Sequence, residues 1–428
     1  MDILEKHLGN IYILILPALV FIPQWDPIDI KGLIWYVLSI VNTIFIFYIF
    51  FLYKDKSLLY LNDRAFLSFL AFFLISVLSV TVAINKAESL MRLTDLYAIL
   101  SSLLIIAFFS SKKLLNHKTV LLIVLISLLL ETLGSFYQLY QVFDMYGVFI
   151  GENRVDVKSI YPNKNITSFV FTTKILISLT LLNTISNRLF KVLVLATITS
   201  SLYIIFALSS RAVFLILVAL IVFYPMLLVF KKLIMKKSIS EDLPKVKYFF
   251  IALIISFGFY KITIDNNTVQ NWEIKLNERV VSVLDPGDES VSNRVRFTLQ
   301  ALDQISQTPL LGIGIGNWRI KSIGYDKEDM YSYVVPYSAH NDFLEIFAET
   351  GIFGFISFIL FFYFLLRRIL IGAFEWIKNK EGIQYIYLLF AFLVVLGDFT
   401  ANFPLDRPSS IITFLLLISV IYSSKTKK

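Results

Sequence analysis

The chain has 428 residues, 57% of them hydrophobic, 16% aromatic and only 16% charged, against about 25% charged and 45–50% apolar in a soluble domain. With a mean hydropathy of +0.75, a chain of this length cannot hide its apolar excess in water. This excludes an ordinary cytosolic enzyme, a disordered chain and a nucleic-acid-binding domain, and predicts an all-α polytopic membrane protein. The lack of cysteine excludes disulfides and thiolate chemistry, and the net charge of +8 reads as basic cytoplasmic loops.

A membrane crossing needs about 20 predominantly apolar residues. About twelve segments qualify, near 9–23, 32–53, 65–83, 94–110, 119–142, 166–184, 189–207, 212–230, 248–263, 352–373, 383–400 and 409–423. The first is short and contains Pro17; no small-x-small cleavage site follows it, so it counts as a span and not as a signal peptide. With the N-terminus inside, the inner segments hold about 22 Lys and Arg and the short outer loops about 8, which predicts that both termini are cytoplasmic. The chain then divides into residues 1–263 with spans one to nine, a large outer loop at 264–351, and residues 352–428 with spans ten to twelve. A span-free loop of that length is expected to carry function, and its alternation of polar and apolar stretches predicts that it folds onto the membrane part.

In chain order, the first polar cluster is Tyr161-Pro162-Asn163-Lys164-Asn165, which opens span six from outside and offers amide donors and one cation, or simply a turn. Lys174 and Lys261 lie within apolar runs, to snorkel or to pair, and take no role. Ser209-Ser210-Arg211 precedes span eight. Ser292 or Asn293 is placed to cap a helix running to about Gln307, with Arg294 and Arg296 in its first turn. An arginine beside an apolar segment is costly, and its planar fork suits phosphate oxygens, with snorkelling to headgroups as the plain alternative. Arg296 faces away from Arg294 and is the weaker candidate. Gly312, Gly314 and Gly316 lack the βαβ setting of a dinucleotide loop and read as a bend that lets the chain pass close to another segment. The run Ser338-Ala339-His340-Asn341-Asp342 opens a helix with Ser338 as its cap and Gly351 as its stop. His340 falls in its first turn, where the helix N-terminus would keep the ring neutral, or it serves only as a capping or interfacial residue. Phe343, Ile346 and Phe347 share one face of that helix, and Asn341, Asp342, Glu345 and Glu349 the other. Asp398, Asn402, Pro404, Asp406 and Arg407 mark the outer end of a late span. No second histidine stands at ligand spacing, so no metal site is expected, and a serine hydrolase would lack its nucleophile elbow.

Arg294, the run Pro309-Leu310-Leu311-Gly312-Ile313-Gly314-Ile315-Gly316-Asn317, His340-Asn341-Asp342 with Glu345, and Gly351-Ile352-Phe353-Gly354 together resemble the outer-loop pattern of the O-antigen ligase superfamily. Asn163-Lys164-Asn165, Ser210-Arg211 and the segment from Asp398 to Pro404 add to the likeness. The resemblance implies a GT-C-like membrane glycosyltransferase of the bacterial inner membrane, with a large, partly helical periplasmic loop. It implies a glycan donor on undecaprenyl pyrophosphate and an acceptor glycolipid such as the lipid A core, with no cofactor or metal and no nucleic-acid partner. By the same resemblance His340 is the catalytic base, Arg211 and Arg294 bind pyrophosphate, and Asn341, Asp342, Asn317 and Trp318 position the acceptor or the loop. Asn163, Lys164, Asn165, Arg296 and Glu345 are secondary candidates. Trp318, Tyr331 and Tyr333 would stack on sugar rings or anchor at the interface. A polysaccharide polymerase and a protein oligosaccharyltransferase differ from a ligase only in the acceptor. A twelve-span transporter or lipid flippase is the alternative of another class. It would place its polar residues at the midplane of two related halves, whereas here they gather at outer span ends and in one loop.

Overall fold

The computed structural model describes residues 3–22, 30–52, 54, 62–147, 156–161, 163–233, 235–240, 242–264, 289–325, 338–378 and 382–424, which are mostly helical with no strand among them. The helices are α1 (Ile3–Val20), α2 (Ile30–Phe47), α3 (Arg64–Ser79), α4 (Lys86–Ser111), α5 (His117–Tyr146), α6 (Lys164–Leu181) and α7 (Arg188–Leu208). They continue as α8 (Arg211–Leu233), α9 (Leu243–Thr263), α10 (Glu289–Gln307), α11 (Trp318–Tyr325), α12 (Asp342–Lys378), α13 (Gln384–Ala401) and α14 (Pro408–Ser423). Short polar caps start many of them. The side chains of Asp63, Asn85, Asn116, Asn163 and Asn187 each accept from backbone N–H groups of the first turn of α3 to α7, satisfying donors that lipid could not.

Each predicted span falls on one of these helices. Nine helices among the described residues are long and apolar enough to cross a membrane, and α1 and α14 carry shorter apolar stretches, His7–Val20 and Pro408–Ser423. The remaining predicted span is α6. Every residue from Ile166 to Leu181 is buried, Thr167, Ser168, Thr172, Thr173, Lys174, Ser178 and Thr180 among them. A helix surrounded by protein need not be apolar, because lipid never touches it. α6 lies between α5, α7 and α13, while α14 reaches α1, α4, α5 and α6.

Polar contacts tie the bundle internally. Asn42 of α2 accepts from the Tyr12 hydroxyl at 2.8 Å and donates to the Ala98 carbonyl at 2.9 Å, joining α1, α2 and α4. Lys174 pairs with Glu131 at 2.5 Å and donates to Ser127 at 2.9 Å, so it pairs and does not snorkel. Lys231 meets Asp242 at 2.8 Å, and the Trp376 indole donates to the same carboxylate at 3.1 Å, fastening α8, α9 and the far end of α12. On the apolar side, Phe69 and Phe72 of α3 meet Phe361 and Phe358 of α12 at 5.1 and 4.9 Å. Phe362, Phe399 and Phe414 then link α12 to α13 and α14.

The described parts of the large loop pack on one end of this bundle. Ala301, Ile305, Ile313, Trp318, Ala339 and Ala348 form a small core of their own. α10 begins at Glu289, so Ser292 and Asn293 lie inside it and neither is its cap; it ends at Gln307, before Pro309, as expected. α12 contains a break at Gly351, with φ 67° and ψ −169°, which separates a short loop helix from the long span that follows.

Candidate active site

The three loop glycines take positive φ angles of 68°, 95° and 78°, and their close neighbours show why a side chain is excluded. A Cβ on Gly312 would strike the Glu349 carbonyl, one on Gly314 would lie 2.5 Å from the Ala83 Cβ, and one on Gly316 would lie 2.9 Å from the Glu88 carbonyl oxygen. The run therefore threads between α12 and the start of α4. Ile313 and Gly314 donate to the carbonyls of Ala348 and Glu349 at 3.0 and 2.9 Å, and Ile352 donates to Pro309 at 2.9 Å. The backbone groups freed by the break at Gly351 are thus paired with the glycine run. On the α4 side, Ile315 donates to the Ser79 hydroxyl at 3.0 Å and accepts from Ser89 at 2.6 Å.

Asn317 and Trp318 complete this anchor. The Asn317 side chain accepts from the Asn85 N–H at 2.7 Å and donates to the Ser89 hydroxyl at 2.8 Å, and it is fully buried. The Trp318 N–H donates to the Glu349 carboxylate at 2.8 Å, and its ring is fully buried beside Tyr325. Trp318 therefore cannot stack on a sugar from solvent. The interfacial pattern suggested by sequence fails because the indole fills the loop's own core. Tyr331 and Tyr333 lie outside the described residues.

The turn at 338–341 presents His340. α12 starts at Asp342, and the Asn341 side chain accepts from the N–H groups of Phe343 and Leu344 at 3.1 and 3.2 Å. Asn341 is therefore the cap, and the expected cap Ser338 stands three residues further out. Ser338 instead donates to the Glu345 carboxylate at 3.1 Å, and that carboxylate also accepts the Ala339 N–H at 2.8 Å. Glu345 thus ties the turn down from inside the helix. The helix face predicted to be polar is indeed lined by Asp342, Glu345 and Glu349, but it is buried, with these carboxylates occupied by backbone and side-chain donors.

His340 precedes the helix, with a left-handed φ of 51°, and does not sit in its first turn. Its ring stacks on Phe297 of α10, with centroids 5.7 Å apart and planes 13° apart, and meets Phe403 edge-on at 4.9 Å. Burial, with Arg294 and Arg407 adding positive potential, pushes its pKa down to about 4. The ring is neutral at physiological pH, as sequence predicted, but the cause is desolvation and two arginines, not a helix terminus. Arg296 lies over Phe297 at 5.3 Å and Arg407 over Phe403 at 3.7 Å, so each aromatic flanking the histidine carries a guanidinium.

Asp342 brings the second flank into place by accepting the Leu405 N–H at 2.9 Å, which seats the turn Pro404–Asp406 over the start of α12. Arg92 locks the same turn, donating to the Leu405 carbonyl at 3.0 Å and pairing with Asp406 at 2.5 Å. Arg92, Phe297 and Phe403 are not among the residues that the sequence pattern singles out. Their roles depend on contacts between segments far apart in the chain, from 43 residues for Phe297 and His340 to 313 for Arg92 and Leu405.

The remaining candidates sit differently. Arg294 is exposed on α10, close enough to act on His340. Arg211 opens α8, after Ser209 closes α7 in a left-handed conformation; its side chain lies outside the described residues. Asn163 is the α6 cap, holding the N–H groups of Asn165 and Ile166 at 3.0 Å each, and Lys164 and Asn165 form the first turn behind it.

Residues 194–359, from α7 through the loop to the first part of α12, match the family model of the O-antigen ligase. No curated protein matches the chain. The matched segment contains Arg211, Arg294 and His340.

Proposed function

We propose that this chain is a membrane glycosyltransferase of the O-antigen ligase superfamily, whose family model matches residues 194–359, and that it transfers a glycan from undecaprenyl pyrophosphate to a sugar hydroxyl of an acceptor glycolipid, such as the lipid A core, at the outer face of the bacterial inner membrane. Twelve crossings with both termini cytoplasmic would put the loop of 264–351 in the periplasm. The observation that carries this reading is the neutral His340, held between two arene rings with arginines around it.

The chemistry asks for a base and an anion site side by side. The acceptor oxygen attacks the anomeric carbon as its proton passes to the neutral imidazole of His340. The bond from that carbon to the pyrophosphate oxygen breaks, and the lipid pyrophosphate departs with the electron pair. Arg294 and Arg211 would hold that leaving charge, as fixed cations do where charge develops. A neutral imidazole can accept a proton where an imidazolium could not. Asn341, Asp342, Glu345, Asn317 and Trp318 serve as positioning residues, through the cap, the turn and the loop anchor described above. Loss of Asn163, which starts a helix, would act on structure before chemistry.

The purified full chain, given polyprenyl-pyrophosphate-linked glycan and acceptor, should transfer glycan, and His340→Ala should reduce turnover to background while the protein remains in the membrane fraction. Retained turnover in that variant rules out the base role. Glycan analysis of a deletion strain then separates the acceptors. Unligated polymer on the carrier marks a ligase, and single repeat units on an otherwise normal acceptor mark a polymerase.

A further inference from the structure

The link between α13 and α14 carries a cation that the reaction above has not used. Arg407 is 8% exposed, and its Nε and Nη1 are buried without a hydrogen-bond partner among the described residues. Buried, unsatisfied donors are costly, and more so on a charged group. Carboxylates stand nearby, but each is engaged elsewhere. Asp398 accepts from the Asn402 amide at 2.7 Å, Asp406 pairs with Arg92, and Asp342 accepts the Leu405 N–H. Burial works against the Arg407 charge, and the fields of Asp398, Asp406 and Asp342 only offset it.

The residue is also held rigidly. Its N–H donates to the Pro404 carbonyl at 2.9 Å, its carbonyl accepts from Ile411 at 3.2 Å, and its guanidinium carbon lies 3.7 Å from the centroid of Phe403, the ring that meets His340 edge-on. A purely structural arginine would direct its fork at one of the three carboxylates. This one keeps unfilled donors beside the neutral histidine, at the same site that Arg294 reaches from the loop. Free guanidinium donors in a fixed fork call for a multidentate oxyanion.

We infer that Arg407 is a further donor-binding residue, supplying the pyrophosphate oxygens with a guanidinium from the α13–α14 link while Arg294 supplies one from the loop. This rests on the reading of the site as one that handles a lipid-linked pyrophosphate. It also gives the late outer turn a function, since Asp342 and Arg92 would then act to set the Arg407 fork in register with His340.

The test uses the full chain in detergent or nanodiscs, with inorganic pyrophosphate as the binding probe and transfer kinetics as a second readout. Arg407→Ala should weaken pyrophosphate binding about tenfold or more and raise the KM for the lipid donor similarly, leaving the KM for the acceptor unchanged. Arg407→Lys should recover part of both losses. If Arg407→Ala binds pyrophosphate like the wild type while Arg294→Ala has lost it, the pyrophosphate reading stands and the Arg407 assignment fails. A change in the acceptor KM alone also overturns the assignment, pointing instead to an acidic acceptor sugar. Wild type that neither binds pyrophosphate nor consumes the lipid donor overturns the underlying reading. Should Arg407→Ala not fold, Arg407→Gln, which keeps the length and polarity of the side chain, decides by the same two readouts.

Discussion

A base whose pKa is pushed to about 4 is always unprotonated at neutral pH, but it is also weakly basic, and those two facts pull against each other. Two causes of the shift, the Arg294 and Arg407 charges, are also the groups proposed to meet the donor. Burial is the main cause of the shift and would remain, but a bound pyrophosphate would cancel the arginine field and raise the His340 pKa part of the way, increasing its basicity only once the leaving group is in place. This has a kinetic consequence, because kcat/KM reports the free enzyme and kcat the complex. The acid limb of kcat/KM should fall near pH 4, and that of kcat should lie at higher pH. Coincident limbs would show that the donor does not compensate the arginines. The same shift affects stability with a definite sign. Below about pH 6.5 the unfolded chain protonates this histidine while the folded one resists, so its contribution favours unfolding increasingly as pH falls from about 6.5 toward 4.

The break in α12 is as important to the site as any side chain. Gly351 sits at φ 67°, and a Cβ there would collide with the Leu310 carbonyl. Gly351→Ala therefore meets both the cost of a positive-φ, extended-ψ conformation that is essentially open to glycine alone, about 1–3 kcal/mol, and a backbone clash that only movement of the glycine run can relieve. The expected result is a lower Tm in detergent together with loss of transfer, since Ile313 and Gly314 pair with the carbonyls just before the break. A wild-type Tm would mean that the loop helix and the span tolerate a continuous axis. This stop is legible in the sequence, because a glycine after a helical run and a glycine-rich partner segment are local signals. The positions of α10 and of the 338–341 turn were less legible. The Asn341 cap and the Ser338 hydroxyl compete for the same role, and only the buried Glu345 carboxylate, seven residues from Ser338, draws the serine away. Arg407 was visible only as a charge near a span end, because its meaning depends on Phe403 reaching His340 across the top of the bundle.

The spans are legible because a bilayer imposes length and apolarity on any segment it touches, and α6 can carry Lys174 and a row of Ser and Thr because protein surrounds it. Sidedness rests on a different kind of signal, the placement of Lys and Arg, and the cysteine-free sequence makes it directly measurable. Ser306 on α10, Lys118 at the start of α5 and Ser238 between α8 and α9 are all exposed, and each can take a single cysteine against a silent background. In intact cells with a permeable outer membrane, a membrane-impermeant maleimide should label Ser306→Cys, and should label Lys118→Cys and Ser238→Cys only after the inner membrane is opened. The reverse pattern would put His340 and its arginines on the side where the basic loops are expected, and the proposed chemistry would then have to draw its donor from the cytoplasmic leaflet. Labelling of all three before opening would mean that the segments between them do not cross in the predicted alternation, and the twelve-crossing plan would fail with the acceptor face it assigns.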